Sequence, residues 1–253
     1  MVNVTICGAN GKMGKVIAAV IKDRADCTVI SGIDLNTAPA DGFNVYAKPQ
    51  ELPKKPDVII DYSHPSGLND LLEYCLSTGT AVVIATTGYT DEQISQIKKA
   101  AEQIPVFFTF NMSLGINLLC KLAKTAAEVL GGQFDIEIVE KHHNQKIDAP
   151  SGTAIMLANS INAALDNGYN YVYDRHSQRK KREKNEIGMH SIRGGTIVGE
   201  HEIIFAGRDE VITLSHSAAS KEVFAVGSVN AAVYLSECSA GLYDMASLVD
   251  NGK

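Results

Sequence analysis

Short apolar runs alternate with amphipathic segments over the first 112 residues of the chain. Val2–Cys7 predicts a strand, and the apolar residues that follow it recur at the spacing of one helix face: Met13, Val16, Ile17, Val20 and Ile21. Further strands are predicted at 27–33, 58–60, 80–85 and 105–109, with helical patterns after 65 and from Asp91. Strands that alternate with helices are typical of a doubly wound parallel sheet.

The pattern changes after residue 112. One long helix is predicted over 112–130, and a strand over 134–139 is followed by a helix that Ser151 would cap. Four strand-like runs then come with few helices between them, at 169–173, 187–192, 196–205 and 210–215. A last helix is predicted over 221–235, with a short tail behind it. We therefore expect an α/β chain with a Rossmann-type, doubly wound parallel sheet domain plus a second α+β domain with a mixed sheet.

The turn after the first strand is glycine-rich. Its sequence, Gly8-Ala-Asn-Gly-Lys-Met-Gly14, lies between a predicted strand and a predicted helix, as in a dinucleotide-binding fingerprint. Asp34 ends the second strand 20 residues beyond Gly14, where an acidic residue binds an adenosine ribose in such folds. The plainer interpretations are an ordinary tight turn and a solvated aspartate.

Polar residues end three of the other predicted parallel strands. Ligands of such sheets bind at the carboxyl ends of the strands, so we expect Ser63, Thr86, Thr87, Asn111 and Met112 to line a cofactor cleft. Turns and helix caps are the alternative roles for these residues.

The segment Glu140-Lys-His-His-Asn-Gln-Lys-Ile-Asp-Ala-Pro-Ser-Gly-Thr-Ala154 concentrates the chemistry of the second domain. Lys146 and the helix start at Ser151 could hold an anion, with a histidine beside them to move a proton. Packing of one histidine and solvation of the other is the alternative, since neighbours on a strand point to opposite faces. A metal site is the weaker functional hypothesis, because opposed side chains chelate poorly, and we expect none.

Composition narrows the function classes. A net charge of −6 argues against nucleic acid and against a membrane surface as partners, and the basic run 175–184 is interpreted as a solvated loop. The five cysteines are scattered without a Cys-x-x-Cys pair, as in a reduced cytoplasmic protein. No signal peptide is expected at the N-terminus.

The segment 140–154 resembles the signature of the 4-hydroxy-tetrahydrodipicolinate (dihydrodipicolinate) reductase family. Other segments share the likeness: the glycine-rich start, Thr86-Thr87-Gly88, the segment 111–117 and the segment 193–201. The resemblance implies NADH- or NADPH-dependent reduction of a cyclic dicarboxylate, 4-hydroxy-tetrahydrodipicolinate, in the diaminopimelate route to lysine. It also implies a homotetramer, a dinucleotide domain at 1–112 and 221–253, and a substrate and oligomerisation domain at 113–220.

The resemblance also assigns residues. His142 would be the proton donor or acceptor and Lys146 its catalytic companion, with His143, Lys146, Ser151, Gly152 and Thr153 binding the substrate. The cofactor would be bound by Gly8, Ala9, Asn10, Gly11, Lys12, Met13, Asp34, Ala85, Thr86, Thr87, Thr109, Phe110, Asn111 and Met112. Because Leu35 and Asn36 after Asp34 offer no cation to a 2′-phosphate, we expect NADH to be preferred.

Two other functions remain open at the level of sequence. One is a different two-domain NAD(P)-dependent dehydrogenase of amino-acid metabolism, which would need a different arrangement of acids and bases. The other is a non-catalytic dinucleotide sensor, which would bind the nucleotide without coupled binding of a planar dicarboxylate.

Overall fold

The computed structural model describes residues 1–40, 42–109 and 111–250. It divides the chain into two compact units, one formed by Met1–Leu114 with Glu222–Lys253 and the other by Gly115–Lys221. The domain limits expected from the family resemblance lie close to these bounds.

The first part of unit 1 alternates strands with helices, as the pattern predicts. Its elements are β1 (Val2–Cys7), α1 (Lys12–Lys22), β2 (Cys27–Ile33), β3 (Val45–Tyr46), β4 (Val58–Asp61), α2 (Leu68–Thr78), β5 (Ala81–Ile84), α3 (Asp91–Ala100) and β6 (Pro105–Phe108). Helix α3 is capped by Thr90 and not by Asp91. The Thr90 side chain accepts a hydrogen bond from the Gln93 N–H, and the Gln93 side-chain oxygen accepts one from the Thr90 N–H.

Unit 2 is built from two helices and one sheet. Its elements are α4 (Leu114–Leu130), β7 (Asp135–His142), α5 (Gly152–Ala164), β8 (Asn170–Val172), β9 (Glu186–Arg193), β10 (Gly199–Ala206) and β11 (Val211–Ala218). Helix α4 begins later than predicted, because the Asn111 side chain accepts a hydrogen bond from the Ser113 N–H and holds a turn there. Strand β7 runs beyond the predicted end at residue 139 and includes His142.

The chain then returns to unit 1 with α6 (Glu222–Leu235), β12 (Gly241–Tyr243) and α7 (Met245–Asp250). The sequence pattern predicted only a tail after α6, but β12 pairs with β6 in parallel. A three-residue strand at the edge of a sheet has too few positions to give a periodic signal.

The two sheets have the predicted characters. Unit 1 contains a seven-stranded parallel sheet in the order β12-β6-β5-β4-β1-β2-β3. Unit 2 contains a five-stranded mixed sheet, β11-β10-β7-β9-β8, in which β10 is antiparallel to both neighbours and β7, β9 and β8 are parallel. The expected Rossmann-type domain and the expected mixed sheet are both confirmed.

Helices α4 and α5 cover one face of the mixed sheet. Alternate strand residues, among them Ile136, Ile138, Ile203 and Phe205, are buried against apolar residues of these helices. The same alternation places Glu140 and His142 on the helix side of β7, because side chains two apart on a strand share a face. A strand that is apolar at its start thus carries polar groups into the interior at its end.

The basic run 175–184 is more than a solvated loop. Arg175 bonds to Glu137 and Glu186, and Arg182 bonds to Glu137 and Asp135. Its cations neutralise carboxylates of the same unit, so much of the local positive charge is already paired.

None of the helices in the described part of the chain combines the length and the apolar character that crossing a membrane requires.

Candidate active site

The glycine-rich loop of unit 1 forms a tight turn that requires glycine at two positions. Gly8 has φ +83°, and a Cβ there would lie 2.5 Å from the Tyr62 carbonyl oxygen. A Cβ on Gly14 would lie 2.2 Å from the Gly8 carbonyl oxygen, and the Gly11 N–H closes the turn onto that oxygen at 3.0 Å. Only glycine fits at positions 8 and 14, and the loop leads directly into the N-terminus of α1. This is the geometry that receives a pyrophosphate.

Asp34 lies beside this loop. Its carboxylate accepts hydrogen bonds from the backbone N–H groups of Asn10 and Asn36, each at 3.0 Å. The Asn10 side chain donates to the carbonyls of Asn36 and Ala38, which ties the glycine loop to the segment after β2. The glycine loop and the aspartate that the spacing predicts for a dinucleotide site therefore lie side by side in unit 1.

The Thr86 side chain, which is expected at the cofactor cleft, bonds to a carboxylate of its own unit. Its hydroxyl donates to the buried carboxylate of Asp61 at 2.7 Å, and the Tyr89 hydroxyl and the Ser63 hydroxyl donate to the same carboxylate. The Thr86 side chain is thus engaged in holding the loop after β5 onto the end of β4. Thr87, the next residue, is exposed.

The other predicted cofactor residues of unit 1 lie at the same edge of the sheet. Lys12 and Met13 open α1, Ala85 follows β5, and Thr109 follows β6. Met112 is buried and Asn111 holds the turn before α4, so both have structural roles. Phe110, also predicted to bind the cofactor, lies outside the described residues.

In unit 2, the side chain of His142 lies at the end of β7 against Glu140. The Nδ1 atom of His142 is 2.5 Å from Oε2 of Glu140, and both side chains are buried. The predicted strand ends at residue 139, but β7 extends to His142 and directs its imidazole toward the helix side of the sheet. His143 follows the strand and is partly exposed.

Arg193 neutralises Glu140 from the neighbouring strand. Its two terminal nitrogens donate to the two carboxylate oxygens at 2.8 and 2.7 Å, a bidentate pair. Burial would raise the pKa of Glu140, but hydrogen bonds from Arg193, Ser191 and His142 outweigh it and hold that pKa at about 2. Glu140 is therefore an ionised carboxylate at neutral pH.

Ser151 caps α5 and joins two parts of the site. Its hydroxyl accepts from the Ala154 N–H at 3.1 Å, and its own N–H donates to Glu140 at 3.2 Å. The same hydroxyl lies 3.0 Å from Nε2 of His201, whose ring packs edge-on against His142. Burial, with a further contribution from His142, lowers the pKa of His201 to about 4.

Lys146 is already paired in this structure. Its ammonium lies 2.8 Å from the carboxylate of Asp148, and this hydrogen bond is the main reason that the pKa of Asp148 is lowered. A smaller lowering comes from the backbone of Gly152, the first residue of α5. The carboxylate of Asp148 thus lies among the groups that the sequence predicts for an anionic ligand. Thr153 is the second residue of the same helix.

Sequence analysis assigned no role to Glu140, Arg193, His201 or Asp148. Spacing could have indicated Glu140, because residues two apart on a strand share a face and Glu140 lies two before His142. Arg193 and His201 come from β9 and β10, and only the sheet register brings them beside β7. In the described residues, no group of three or more His, Cys, Asp or Glu side chains could hold a metal ion.

The arrangement in unit 2 combines a proton carrier with a site for an anion. An ionised carboxylate contacts Nδ1 of the His142 imidazole. A lysine and a helix N-terminus follow within ten residues of chain. Such a set can bind a carboxylate and exchange a proton with the molecule that carries it.

Comparison with known proteins gives one consistent result. The family model described as dihydrodipicolinate reductase, N-terminus, matches residues 2–112, and the model described as dihydrodipicolinate reductase, C-terminus, matches residues 115–249. The 4-hydroxy-tetrahydrodipicolinate reductase of Caldanaerobacter subterraneus subsp. tengcongensis is 50% identical over 252 residues, covering 100% of each chain. The enzyme of the same name from Clostridium tetani is 41% identical, covering 99% of this chain and 98% of its own.

A solved structure agrees with these relatives. A dipicolinate-bound dihydrodipicolinate reductase from Paenisporosarcina sp. TG-14 superposes with a TM-score of 0.81 at 28% identity, covering 96% of this chain and 97% of that one.

The depressed pKa of His201 predicts how stability depends on pH. An unfolded histidine binds a proton near pH 6.5, whereas folded His201 binds one only near pH 4, so the unfolded state holds more protons between these values. The free energy of unfolding should therefore fall as the pH drops from 6.5 toward 4. His201→Gln should flatten this slope by up to about 1.4 kcal/mol per pH unit, as measured by urea unfolding at each pH.

His176→Gln is the matched control, because His176 is an exposed histidine of the same unit. It should leave the slope unchanged. An unaltered slope in His201→Gln would show that His201 is not held neutral by the fold.

Proposed function

The chain belongs to the dihydrodipicolinate reductase family, and from that premise we propose which of its residues carry out the reduction of 4-hydroxy-tetrahydrodipicolinate to tetrahydrodipicolinate. The reaction consumes NAD(P)H and a proton and releases water and NAD(P)⁺. The protein must therefore bind a dinucleotide, hold a cyclic dicarboxylate, and handle at least one proton. The observation that carries the residue assignment is the contact between Glu140 and Nδ1 of His142 beside the Lys146 anion groups.

Unit 1 supplies the residues for the nucleotide. Gly8 and Gly14 permit the tight turn that leads the backbone into the N-terminus of α1, where we place the pyrophosphate, and Asp34 offers carboxylate oxygens to a ribose. The nicotinamide, when bound, supplies the hydride. The backbone after β5, held by the Thr86 contact with Asp61, completes the residues that we assign to this half.

His142 is the residue that we assign to the proton. Loss of a hydroxyl as water requires a proton, and addition of hydride to a conjugated ring must be balanced by one. Since Nδ1 faces Glu140, Nε2 is the nitrogen left to serve the substrate.

Lys146 and the start of α5 are assigned to one carboxylate of the substrate. In this role Lys146 exchanges its bond with Asp148 for a bond with the ligand, and the N–H groups at Gly152 and Thr153 lie at the positive end of a helix. Ser151 holds this turn, and His143, on the other side of the chain from His142, adds a polar contact to the substrate. The relative solved with dipicolinate, a planar analogue of the same dicarboxylate class, supports a ligand of this kind.

Two substitutions should separate the proton role from the charge role. His142→Gln keeps size and some hydrogen bonding but cannot titrate, so kcat should fall by about 10²–10⁴-fold while NADH affinity stays near wild type. Lys146→Met removes a charge that acts in ground and transition states alike, so KM for the substrate should rise by about 10–100-fold. The measurements are steady-state NADH oxidation, with substrate generated in situ from pyruvate and aspartate semialdehyde, and NADH binding by fluorescence.

His143→Gln is the control for the proton role, because its side chain points to the opposite face. It should keep a kcat far above that of His142→Gln. Near-normal kcat in His142→Gln would refute the proton assignment, and loss of NADH binding in that variant would assign His142 to the fold or to the cofactor.

NADH is the cofactor that we propose to be preferred. The Asp34 carboxylate would repel a 2′-phosphate, and the four residues after it, 35–38, contain no Lys or Arg. Asp34→Asn should lower kcat/KM for NADH by about tenfold or more, because it weakens a hydrogen bond to the ribose. The ratio of kcat/KM for NADH to kcat/KM for NADPH should therefore fall. Asp23→Asn, at an exposed position after α1, is the control. A higher kcat/KM for NADPH in the wild-type enzyme would contradict the preference.

A homotetramer is the assembly that we propose. The sheet face of unit 2 opposite α4 and α5 carries Val139, Ile204 and the exposed Val211, and edge strand β11 leaves backbone groups unpaired on its outer side. We expect the cytoplasm as its location, in keeping with the reduced cysteines.

Light scattering should report four times the 27.1 kDa chain mass. Val211→Glu, which puts a charge on this sheet face, should shift the population toward smaller species, whereas Val129→Glu, at an exposed position of α4, should not. A monomer at micromolar concentration for the wild-type chain would overturn the proposal.

A further inference from the structure

Glu140 is the most buried carboxylate of unit 2 that contacts a histidine. Only 1% of its surface is exposed, and it lies on the same face of β7 as His142, two residues away. A buried carboxylate is costly unless its charge is balanced and its oxygens accept hydrogen bonds. Here the balance comes from Arg193 on β9, which donates one hydrogen bond to each carboxylate oxygen.

The hydrogen-bond donors around Glu140 determine which ring nitrogen of His142 carries the hydrogen. An ionised carboxylate can only accept, and the guanidinium of Arg193 and the N–H of Ser151 can only donate. The short contact between Oε2 and Nδ1 therefore requires that Nδ1 carry a hydrogen and donate it. In the neutral ring, the lone pair is then on Nε2.

The surroundings of Nε2 suit a nitrogen that exchanges a proton with the substrate. A Cβ on Gly199 would lie 3.2 Å from Nε2, so the glycine at the start of β10 keeps this side of the ring uncrowded. The ring of His201 packs edge-on against His142 with centroids 5.2 Å apart, which restrains its tilt.

We propose that Glu140 and Arg193 are positioning residues for the reduction: they fix His142 with its hydrogen on Nδ1, so that Nε2 is the atom that exchanges a proton with the substrate. The inference rests on the proposed role of His142 and adds two residues that do not touch the substrate. It resembles in logic the carboxylate that orients the histidine of a hydrolase triad, where replacing the acid by its amide lowers kcat by about 10⁴-fold.

The same carboxylate also fixes the anion groups relative to His142. Oε1 of Glu140 accepts from the Ser151 N–H at the start of α5, and Nη2 of Arg193 donates to the Asp148 carbonyl at 2.6 Å. One ion pair thus connects the strand with His142, the loop with Lys146, and the helix N-terminus. Precise relative placement of a proton carrier and a bound ring is what such rigidity supplies.

Glu140→Gln is the decisive variant, because glutamine has the same shape but its amide can donate to Nδ1 and stabilise the wrong tautomer. We expect kcat to fall by about 10²–10⁴-fold, with KM for the substrate and Kd for NADH within a few-fold of wild type. The double variant Glu140→Gln/His142→Gln should be no slower than His142→Gln alone, since the carboxylate acts through the histidine. Glu128→Gln, at an exposed carboxylate of α4, is the control and should match wild type.

Histidine tautomers can be observed directly by ¹⁵N NMR of the wild-type enzyme, with the His142 signals identified by their loss in His142→Gln. The expected spectrum near neutral pH shows a protonated Nδ1, and Glu140→Gln should shift the population toward a protonated Nε2. The pH dependence of kcat should also change in Glu140→Gln. Glu140 and His201 contact His142 directly, and Arg193 bonds to Glu140. The charges of Lys146 and His216 act on His201, and Asp148 pairs with Lys146.

The outcomes separate the two proposals. If His142→Gln loses kcat but Glu140→Gln keeps it, the positioning role is wrong and the proton role stands. If His142→Gln keeps kcat, the proton role fails, and the NMR spectrum still tests whether Glu140 sets the tautomer. A wild-type spectrum with the hydrogen on Nε2 would overturn the inference even if Glu140→Gln failed to fold.

Arg193→Lys gives an independent reading, because lysine keeps the charge and loses the fork. It should lower kcat less than Glu140→Gln does and should leave the Nδ1 hydrogen in place. If Arg193→Lys behaved like Glu140→Gln, the paired hydrogen bonds of the guanidinium would orient the ring more than the carboxylate does.

Discussion

The ion pair between the buried Glu140 and the partly buried Arg193 is the interaction on which the reactive part of unit 2 depends. It links β7 to β9 on the helix side of the sheet, and the same carboxylate accepts from His142 and from the first turn of α5. Removing Arg193 would leave Glu140 as an uncompensated buried charge, which is far more costly than losing an exposed pair. The function of this ion pair is therefore placement as much as stability, since a proton carrier and an anion site are useful only in a fixed mutual geometry.

The two units use different groups for their chemistry, the backbone in unit 1 and side chains in unit 2. Unit 1 relies on the backbone: glycines at 8 and 14 permit the tight turn before α1, and hydroxyls that donate to the buried Asp61 hold the loop after β5. Unit 2 relies on side chains that arrive from three neighbouring strands, β7, β9 and β10. A dinucleotide is recognised mainly through its phosphates and sugars, which suits backbone groups, whereas proton transfer needs a titratable side chain in a defined orientation.

This difference explains how much could be predicted from the sequence. The glycine loop and Asp34 are local features with a fixed spacing, so pattern alone located them. The start of α5 at Ser151 followed from its capping chemistry in the same way. The full length of β7 did not, because Glu140 and His142 look like loop residues by hydropathy, and the group that makes their burial possible, Arg193, is 53 residues away. The engagement of Thr86 with Asp61 was equally hidden, since a threonine after a strand has the same sequence pattern whether it faces a ligand or a carboxylate.

The most direct test of this account is a crystal structure of the protein with NADH and pyridine-2,6-dicarboxylate bound. One ligand carboxylate should take the place of the Asp148 carboxylate beside Lys146 and the start of α5. Glu140 should keep its contact with Nδ1 of His142, so that Nε2 faces the ligand ring. A dicarboxylate bound elsewhere, with Lys146 still on Asp148, or a His142 ring turned so that Nδ1 leaves Glu140, would contradict it.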